Sequence, residues 1–376
     1  MRTLLLALFV FVLFLVPSIH SSLLLSVFSL EDGNVLCTLK NTASDPERFL
    51  QYNTPFDSGV FASILKVTDR VGKEAKYIGK VGKRVFPPPE SSYLTLESGE
   101  SISAVINIHE LYHVHEEGVY RISGRVPEGT RAEIGESAMQ YLEKSAETVK
   151  ESKAALGNSF SECSTEEQTT VEKSRVSAEQ YTYESSKCLD ENTCDFLSAK
   201  WFSATNSVNG DNYDHAKGIF TKLKPALASV NIECNNEDCR PNTFAFVYPK
   251  DENQIIYLCP VFWSTSDPSE RPQTLIHEYS HFDVIGSTLD YRYGTTECLN
   301  LAATNSTEAV RNADNIGYFA IDVGESGDFT ASIPDSMPSD NNDDSTASSN
   351  GNNDSSAGSR LFLFVFCFLA ALAATV

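Results

Sequence analysis

The chain has 376 residues, room for two domains of ordinary size once its terminal segments are set aside. Its 51 acidic against 29 basic residues give a net charge of -22, which repels nucleic acid phosphates and anionic membrane surfaces and makes both unfit partners.

The elements follow in chain order. Arg2, the apolar run Leu4 to Val16, Pro17 and the small residues Ser18, Ser21 and Ser22 have the form of a secretory signal peptide, expected over 1–21. Residues 22–127 read as an all-β sandwich domain, either a propeptide or an accessory module. Ile102, Ala104, Ile106 and Ile108 alternate along one face, and turn signals recur at Asp32-Gly33, Asp57-Ser58-Gly59 and Glu97-Ser98-Gly99. The dibasic pair Lys83-Arg84 falls inside this β region. Residues 128–159 are rich in Glu, Lys, Ala and Ser and suit a charged linker or helix. Ser164 with Glu167 forms a capping box ahead of a helix reaching Tyr183, and a second helix is expected over Asp211–Ala228, broken by Pro225. The runs 243–248 and 254–263 read as a β-hairpin whose second strand presents an edge to an extended peptide. From 324 to 358 the chain is acidic, Ser/Asn-rich and unable to bury a core. Residues 359–376 form a hydrophobic tail after a small-residue spacer, the pattern of a GPI-attachment signal, so membrane contact is expected only through a lipid anchor or this tail. Of nine cysteines, Cys367 lies in the tail, and the remaining eight are an even set suited to disulfides. Asn305-Ser306-Thr307 is an N-glycosylation sequon, as is Asn353-Asp354-Ser355.

The chemistry concentrates in a motif that occurs twice, His109-Glu110-Leu111-Tyr112-His113 and His277-Glu278-Tyr279-Ser280-His281. HExxH holds one zinc only on a helix, where residues four apart share a face and both imidazoles reach the ion. The first copy continues an alternating run and reads as a chance match on a strand or turn, where residues four apart stand about 13 Å from each other. The second copy lies in an apolar stretch suited to a helix from Gln273 to Ile285, ended by Gly286. A catalytic zinc needs three protein ligands and an open position for water. Asp283, Asp290, Glu297 and Glu308 are the downstream candidates for the third ligand.

Gly286-Ser287-Thr288-Leu289-Asp290-Tyr291-Arg292-Tyr293-Gly294 after the second HExxH resembles the signature of the aspzincins, the deuterolysin and peptidyl-Lys metalloendopeptidase family. The likeness extends over about 160–320, through Cys163, Cys234, Cys239, the 243–249 strand, Tyr257-Leu258-Cys259, Phe262-Trp263, and Asn312-Ala313-Asp314-Asn315 with Tyr318-Phe319. It implies an α+β, zincin-like, mainly helical catalytic domain over 160–323. It further implies one zinc held by His277, His281 and Asp290, Glu278 as general base, and Tyr293 as oxyanion donor. Protein and peptide substrates follow. The resemblance also implies Cys163–Cys234 and Cys239–Cys259 disulfides. Cys188–Cys194 is then expected as a local loop, and Cys37–Cys298 as a tie between the domains. Asp314 matches a residue that binds lysine after the cut in lysine-specific members. Its partner acidic position is Gly317 here, which allows at most a partial Lys or Arg preference. Two other readings stay open at this point: a gluzincin with Glu297 or Glu308 as ligand, and a non-catalytic surface protein that keeps the fold.

Overall fold

The computed structural model describes residues 22–57, 59, 62–125, 132–145, 158–202 and 210–326. The expected signal peptide, the Asn353 sequon and the anchor tail lie outside the described residues. Among those described, no helix is long and apolar enough to cross a membrane.

The N-terminal half is built from short strands. β1 (Leu23–Ser29) and β2 (Asn34–Asn41) pair antiparallel, with Leu23 opposite Asn41 and Ser29 opposite Val35. Their turn uses Asp32 and Gly33, both at positive φ. β3 (Glu47–Leu50), β4 (Leu65–Thr68), β5 (Lys76–Tyr77), β6 (Tyr93–Leu96) and β7 (Ser101–Asn107) follow. After β7 come the single helical turn α1 (Ile108–Leu111), β8 (Tyr112–His113) and β9 (Gly118–Gly124). Two more strands, β10 (Ala132–Ile134) and β11 (Ala138–Leu142), lie where a charged linker or helix was expected. β10 completes a sheet of order β10-β1-β2-β7 and β11 a sheet of order β11-β9-β4. In β11 the inward residues are Ala138, Gln140 and Leu142, while Met139 and Tyr141 face water. That outward pair hides the period-2 signal on which strand assignment rests. Val27, Val35, Cys37, Leu65, Val67, Ile106, Tyr120, Ile122, Ala138 and Leu142 of the two sheets share one buried cluster.

The first HExxH copy is divided between α1 and β8, so no helix carries both histidines. His109 packs against the bare Cα of Gly33, where a Cβ would come within 2.6 Å of its ring. His115 bonds Asp69 at 3.2 Å.

The C-terminal half opens with β12 (Ser159–Ser161) and the long helix α2 (Thr165–Glu191). Ser164 Oγ accepts from Glu167 N and Glu167 Oε2 from Ser164 N, the reciprocal cap expected there. α2 runs eight residues past Tyr183 (191 minus 183), and α3 (Asp195–Phe202) and α4 (Gly210–Ala226) follow, with Pro225 in the last turn of α4. β13 (Asn231–Glu233), β14 (Ala245–Phe246) and β15 (Ile255–Leu258) join β12 in a sheet of order β12-β13-β15-β14, in which β14 alone is antiparallel. The expected hairpin is therefore present but ends at Leu258. Pro260 starts α5 (Pro260–Ser264), because a proline at the first helical position loses no hydrogen bond there. β15 has partners on both sides, so the edge strands of this sheet are β12 and β14, and not the strand expected to bind peptide. α6 (Glu270–His281), α7 (Thr295–Thr304), α8 (Ser306–Ala309) and α9 (Ala313–Ser326) complete the half. α6 begins three residues before Gln273 (273 minus 270) and stops at His281, where Phe282 turns extended (ψ 135°) instead of continuing to Ile285.

Disulfides join Cys163–Cys234, Cys188–Cys194 and Cys239–Cys259. The expected Cys37–Cys298 bridge is absent. Cys37 is buried in the core of the N-terminal sheets and Cys298 in the helical core, where Asn312 Nδ2 donates to its sulfur.

Candidate active site

The site starts from the spacing on α6. Glu270, Gln273, His277 and His281 recur at intervals of three and four, so all four lie along one stripe of the helix. His277 Nε2 and His281 Nε2 are 3.1 Å apart. Because α6 stops after His281, the chain reverses through Gly286, where a Cβ would meet Ser280 O at 2.6 Å, and brings Asp290 back. Asp290 Oδ1 lies 3.1 Å from His277 Nε2 and 3.4 Å from His281 Nε2.

Two hydrogen bonds orient the rings. Thr288 O lies 2.8 Å from His281 Nδ1, and a carbonyl only accepts, so that nitrogen carries the proton and Nε2 keeps its lone pair for the triangle. Asp314 Oδ1 lies 2.7 Å from His277 Nδ1, and its Oδ2 accepts from Gly294 N at 2.8 Å. A carboxylate or carbonyl behind each ring is the usual support of a metal-binding histidine.

Three observations test whether a zinc ion fits. Edges of a tetrahedron around zinc, with bonds of about 2.0–2.2 Å, are about 3.3–3.6 Å long, close to the 3.1, 3.1 and 3.4 Å found between the three donor atoms. Asp290 Oδ1 makes no well-shaped hydrogen bond despite its short distances, which is how donors aimed at a common centre behave. The pocket is buried and rich in carboxylates (Glu278, Asp290 and Asp314), a charge set that calls for a cation. The residues fit the ion. Glu278 stands farther out, with Oε1 3.9 Å from His277 Nε2, and its Oε2 has no protein partner.

Electrostatics agree. Burial pushes the Glu278 carboxyl up to about 7, despite the opposing pull of His277 and His281. Burial would lower His277, but Asp290 and Asp314 lift it to about 10. Burial would raise Asp290, but His281 and His277 hold it well below the usual carboxylate range. The two negative neighbours that favour a proton on His277 would equally favour a metal in its place.

A strand from the N-terminal half lies across this triangle. Residues 81–85 run antiparallel to 242–247, the stretch that includes β14, through bridges of Val81 with Val247 and Arg84 with Thr243. Val81 N donates to Val247 O (3.1 Å) and Val247 N to Val81 O (2.9 Å). Phe244 N donates to Lys83 O (2.9 Å) and Val85 N to Asn242 O (3.0 Å). Gly82 N donates to Asp290 Oδ2 (3.0 Å), Tyr293 OH to Gly82 O (3.1 Å), and Lys83 N to Glu278 Oε1 (2.9 Å). The Lys83 side chain is buried, and its ammonium donates to Glu270 Oε2 and Gln273 Oε1 while lying 4.5 Å over the Phe244 ring. Lys83 also helps to lower the Asp314 carboxyl, after His277 and against burial.

Sequence reading named His277, Glu278, His281, Asp290, Tyr293 and Asp314, and the chain brings all six together. Among the described residues His277, Glu278 and His281 hold their donor atoms within 4.8 Å of one another, Asp290 joins them through its 3.1 and 3.4 Å distances to the two histidines, and neither Glu297 nor Glu308 belongs to this group. Asn305 caps α8, accepting from Glu308 N at 3.2 Å. Glu270 and Gln273 are not among the expected site residues, although their helical spacing to His277 is a signal that points to them.

A triangle of two histidines and an aspartate, with a buried glutamate of the same HExxH motif beside it, defines a metallopeptidase. Residues 190–321 match the aspzincin family, described as lysine-specific metallo-endopeptidase. The chain is 28% identical over 325 residues to an extracellular protease of Aeromonas hydrophila, covering 78% of this chain and 88% of that protein. It is 29% identical over 315 residues to a peptidyl-Lys metalloendopeptidase of Armillaria mellea, with the same two coverages. A peptidyl-Lys metalloendopeptidase of Pleurotus ostreatus is 30% identical over 165 residues, which is 43% of this chain and 95% of that enzyme. The chain belongs to the aspzincin family and is a zinc metalloendopeptidase.

Proposed function

We propose that this enzyme cleaves proteins on the amino side of lysine, with His277, His281 and Asp290 as the zinc ligands. Bound zinc would supply a polarised water and a Lewis acid for the carbonyl. Glu278 takes a proton from the attacking water and passes it to the leaving amine, a role supported by its orphan Oε2 on one side and its contact with an amide nitrogen on the other. Tyr293 donates to the carbonyl oxygen on which charge develops. The observation that carries the lysine preference is the slot around Lys83, where Glu270 and Gln273 accept from the ammonium. Gly317 belongs to this account. A side chain there would collide with Gln273 at 2.6 Å, so the glycine makes room for Gln273, and Glu270 supplies the charge that position 317 lacks. Secretion is supported by the signal-like N-terminus, cell-surface attachment by the C-terminal tail, and a glycan on Asn305 by its sequon.

The test is mass-spectrometric mapping of cuts in an unfolded protein substrate. Wild type should cut before lysine, and both a chelator and Glu278→Ala should abolish cutting, the latter by about 100- to 10,000-fold with zinc uptake kept. Cuts scattered without regard to lysine would refute the specificity. Undiminished cutting by Glu278→Ala would refute the base.

A further inference from the structure

Asp290 and Tyr293 are joined by three peptide units that belong to no helix or strand, so side-chain contacts have to set their course. One side chain, that of Asn312, binds an atom of each unit. Its Oδ1 accepts from Tyr291 N at 2.8 Å and from Arg292 N at 3.1 Å. Its Nδ2 donates to Arg292 O at 3.0 Å and to Asn315 Oδ1 at 2.7 Å, with the Cys298 sulfur 3.4 Å away. Two N–H groups on one side of the amide and two oxygens on the other allow it to face only one way. Asn315 holds it there, because its own NH2 donates to Trp201 O at 2.7 Å and to Cys298 O at 3.1 Å, which turns its oxygen towards Asn312. Both amides are fully buried and satisfied, and together they tie the loop to α3 and α7. Upstream of Asp290 a backbone bridge fixes the same loop: Leu289 N donates to Arg311 O (2.9 Å) and Ala313 N to Leu289 O (3.0 Å).

We infer that Asn312 is a positioning residue, which fixes where the zinc ligand Asp290 and the Tyr293 hydroxyl stand relative to each other. The inference rests on the roles proposed for those two residues. The tie matters because a scissile carbonyl must meet the metal and the hydroxyl at once, and a displacement of about 1 Å in such a constellation can cost about 100-fold in rate. The chemistry at position 312 is narrow. Aspartate keeps an acceptor for Tyr291 N and Arg292 N but sets its second oxygen against Arg292 O and Asn315 Oδ1, and even when protonated it has one hydrogen for those two oxygens. Leucine has the size but strands both N–H groups. Glutamine has the amide, one methylene too far along to meet the loop where it lies.

The experiment uses the full chain and combines Asn312→Ala with Tyr293→Phe. Without zinc, where catalysis plays no part, hydrogen exchange at the Tyr291 and Arg292 amides should become at least about tenfold faster in Asn312→Ala, while the Gly294 amide, held by Asp314, stays slow. With saturating zinc, kcat on a lysine peptide should fall about 10- to 100-fold and KM should hardly change. On the Tyr293→Phe background the same substitution should cost less than about threefold in kcat, because the hydroxyl it positions is already gone. Unchanged exchange at the two amides, or a full further loss of kcat on that background, would overturn the inference. So would a Tyr293→Phe chain with undiminished kcat, since there would be no donor to position. Asn312→Asp covers the case in which alanine destroys the fold. It keeps the two bonds nearest Asp290 and loses the one nearest Tyr293, so zinc affinity should stay within about threefold of wild type while kcat falls about tenfold or more; equal losses of both would mean a general lesion and no positioning role. A wild-type chain that takes up zinc but never cuts the peptide would instead sink the proposed peptidase, and exchange at the two amides would still decide whether Asn312 holds the loop.

Discussion

Asp314→Asn isolates the support of the metal site from the ligands themselves. The carboxylate has three partners: Oδ1 accepts from His277 Nδ1 at 2.7 Å and from Gln273 Nε2 at 3.2 Å, and Oδ2 accepts from Gly294 N at 2.8 Å. An asparagine is nearly isosteric but has one acceptor and one donor group. If its oxygen faces His277, its NH2 faces the Gly294 N–H, two donors in opposition. If it flips, the NH2 faces Nδ1 and pushes the ring proton toward Nε2, the atom needed for zinc. Either orientation forfeits at least one buried hydrogen bond, and loss of such an outer partner typically costs 10- to 100-fold in metal affinity, about 1.4–2.7 kcal/mol. The assay is competition for zinc against a chelator of known affinity, with circular dichroism to show the fold intact. Zinc affinity unchanged within about twofold would refute the claim that Asp314 fixes the His277 tautomer.

Three other substitutions probe separate parts of the site and fold. Glu270→Gln keeps a hydrogen-bond acceptor for the substrate ammonium but removes the charge. Loss of a charge-assisted bond worth about 1.5–3 kcal/mol should lower kcat/KM for lysine substrates roughly 10- to 150-fold, and leave substrates with an uncharged residue there little changed. An equal loss on both substrates would rule out a specificity role. Tyr293→Phe should lower kcat by about 100- to 1,000-fold with KM nearly kept, measured on peptide substrate; a KM effect alone would mean the hydroxyl only binds. Replacing Cys163 and Cys234 together by alanine opens a link between residues 71 apart and should reduce stability by about 4 kcal/mol, read as a lower denaturant midpoint. An unchanged midpoint would show that the unfolded chain is not constrained there.

The parts of the site that were legible in the sequence are those that share a local period. His277 and His281 are one helical turn apart, and Asp290 follows within one reversal of the chain. Glu270 was hidden because Asp-Pro-Ser-Glu-Arg-Pro reads as a loop, while the helix in fact begins there and carries Pro272 in its first turn. α5 was misread because Val261, Phe262 and Trp263 favour strands, and the proline that starts the helix outweighed them. Lys83-Arg84 reads as part of the β region from its neighbours, yet its partners are Thr243 and Phe244 just before β14, some 160 residues away, and pairing at that separation leaves no local pattern. The pairing of Cys188 with Cys194 is a short loop across the α2–α3 corner, whereas the fates of Cys37 and Cys298 depended on which core each side chain entered.

The division of contacts explains how the same site can be both closed and complete. Every group that shapes the donor triangle belongs to the C-terminal half: Thr288 O and Asp314 hold the rings, and α6 with the Gly286 reversal sets the spacing. The N-terminal half contributes groups that lie over it: Gly82 N on Asp290 Oδ2, Gly82 O on the Tyr293 hydroxyl, Lys83 N on Glu278 and Asn53 on the Asp290 carbonyl, with the Lys83 ammonium reaching Asp314 only through Gln273. Withdrawing the strand therefore frees one oxygen of Asp290, the Glu278 carboxylate and the Tyr293 hydroxyl without disturbing the bonds that orient His277 and His281. Two of these groups, the Tyr293 hydroxyl and Glu278, face the carbonyl and amide of the Gly82–Lys83 bond, and Asp290 Oδ2 faces the N–H of Gly82 itself. Displacing the strand should accordingly change peptide access to the slot far more than it changes zinc affinity, which a chelator competition on the intact and strand-displaced chain would measure; a larger change in zinc affinity would refute the division.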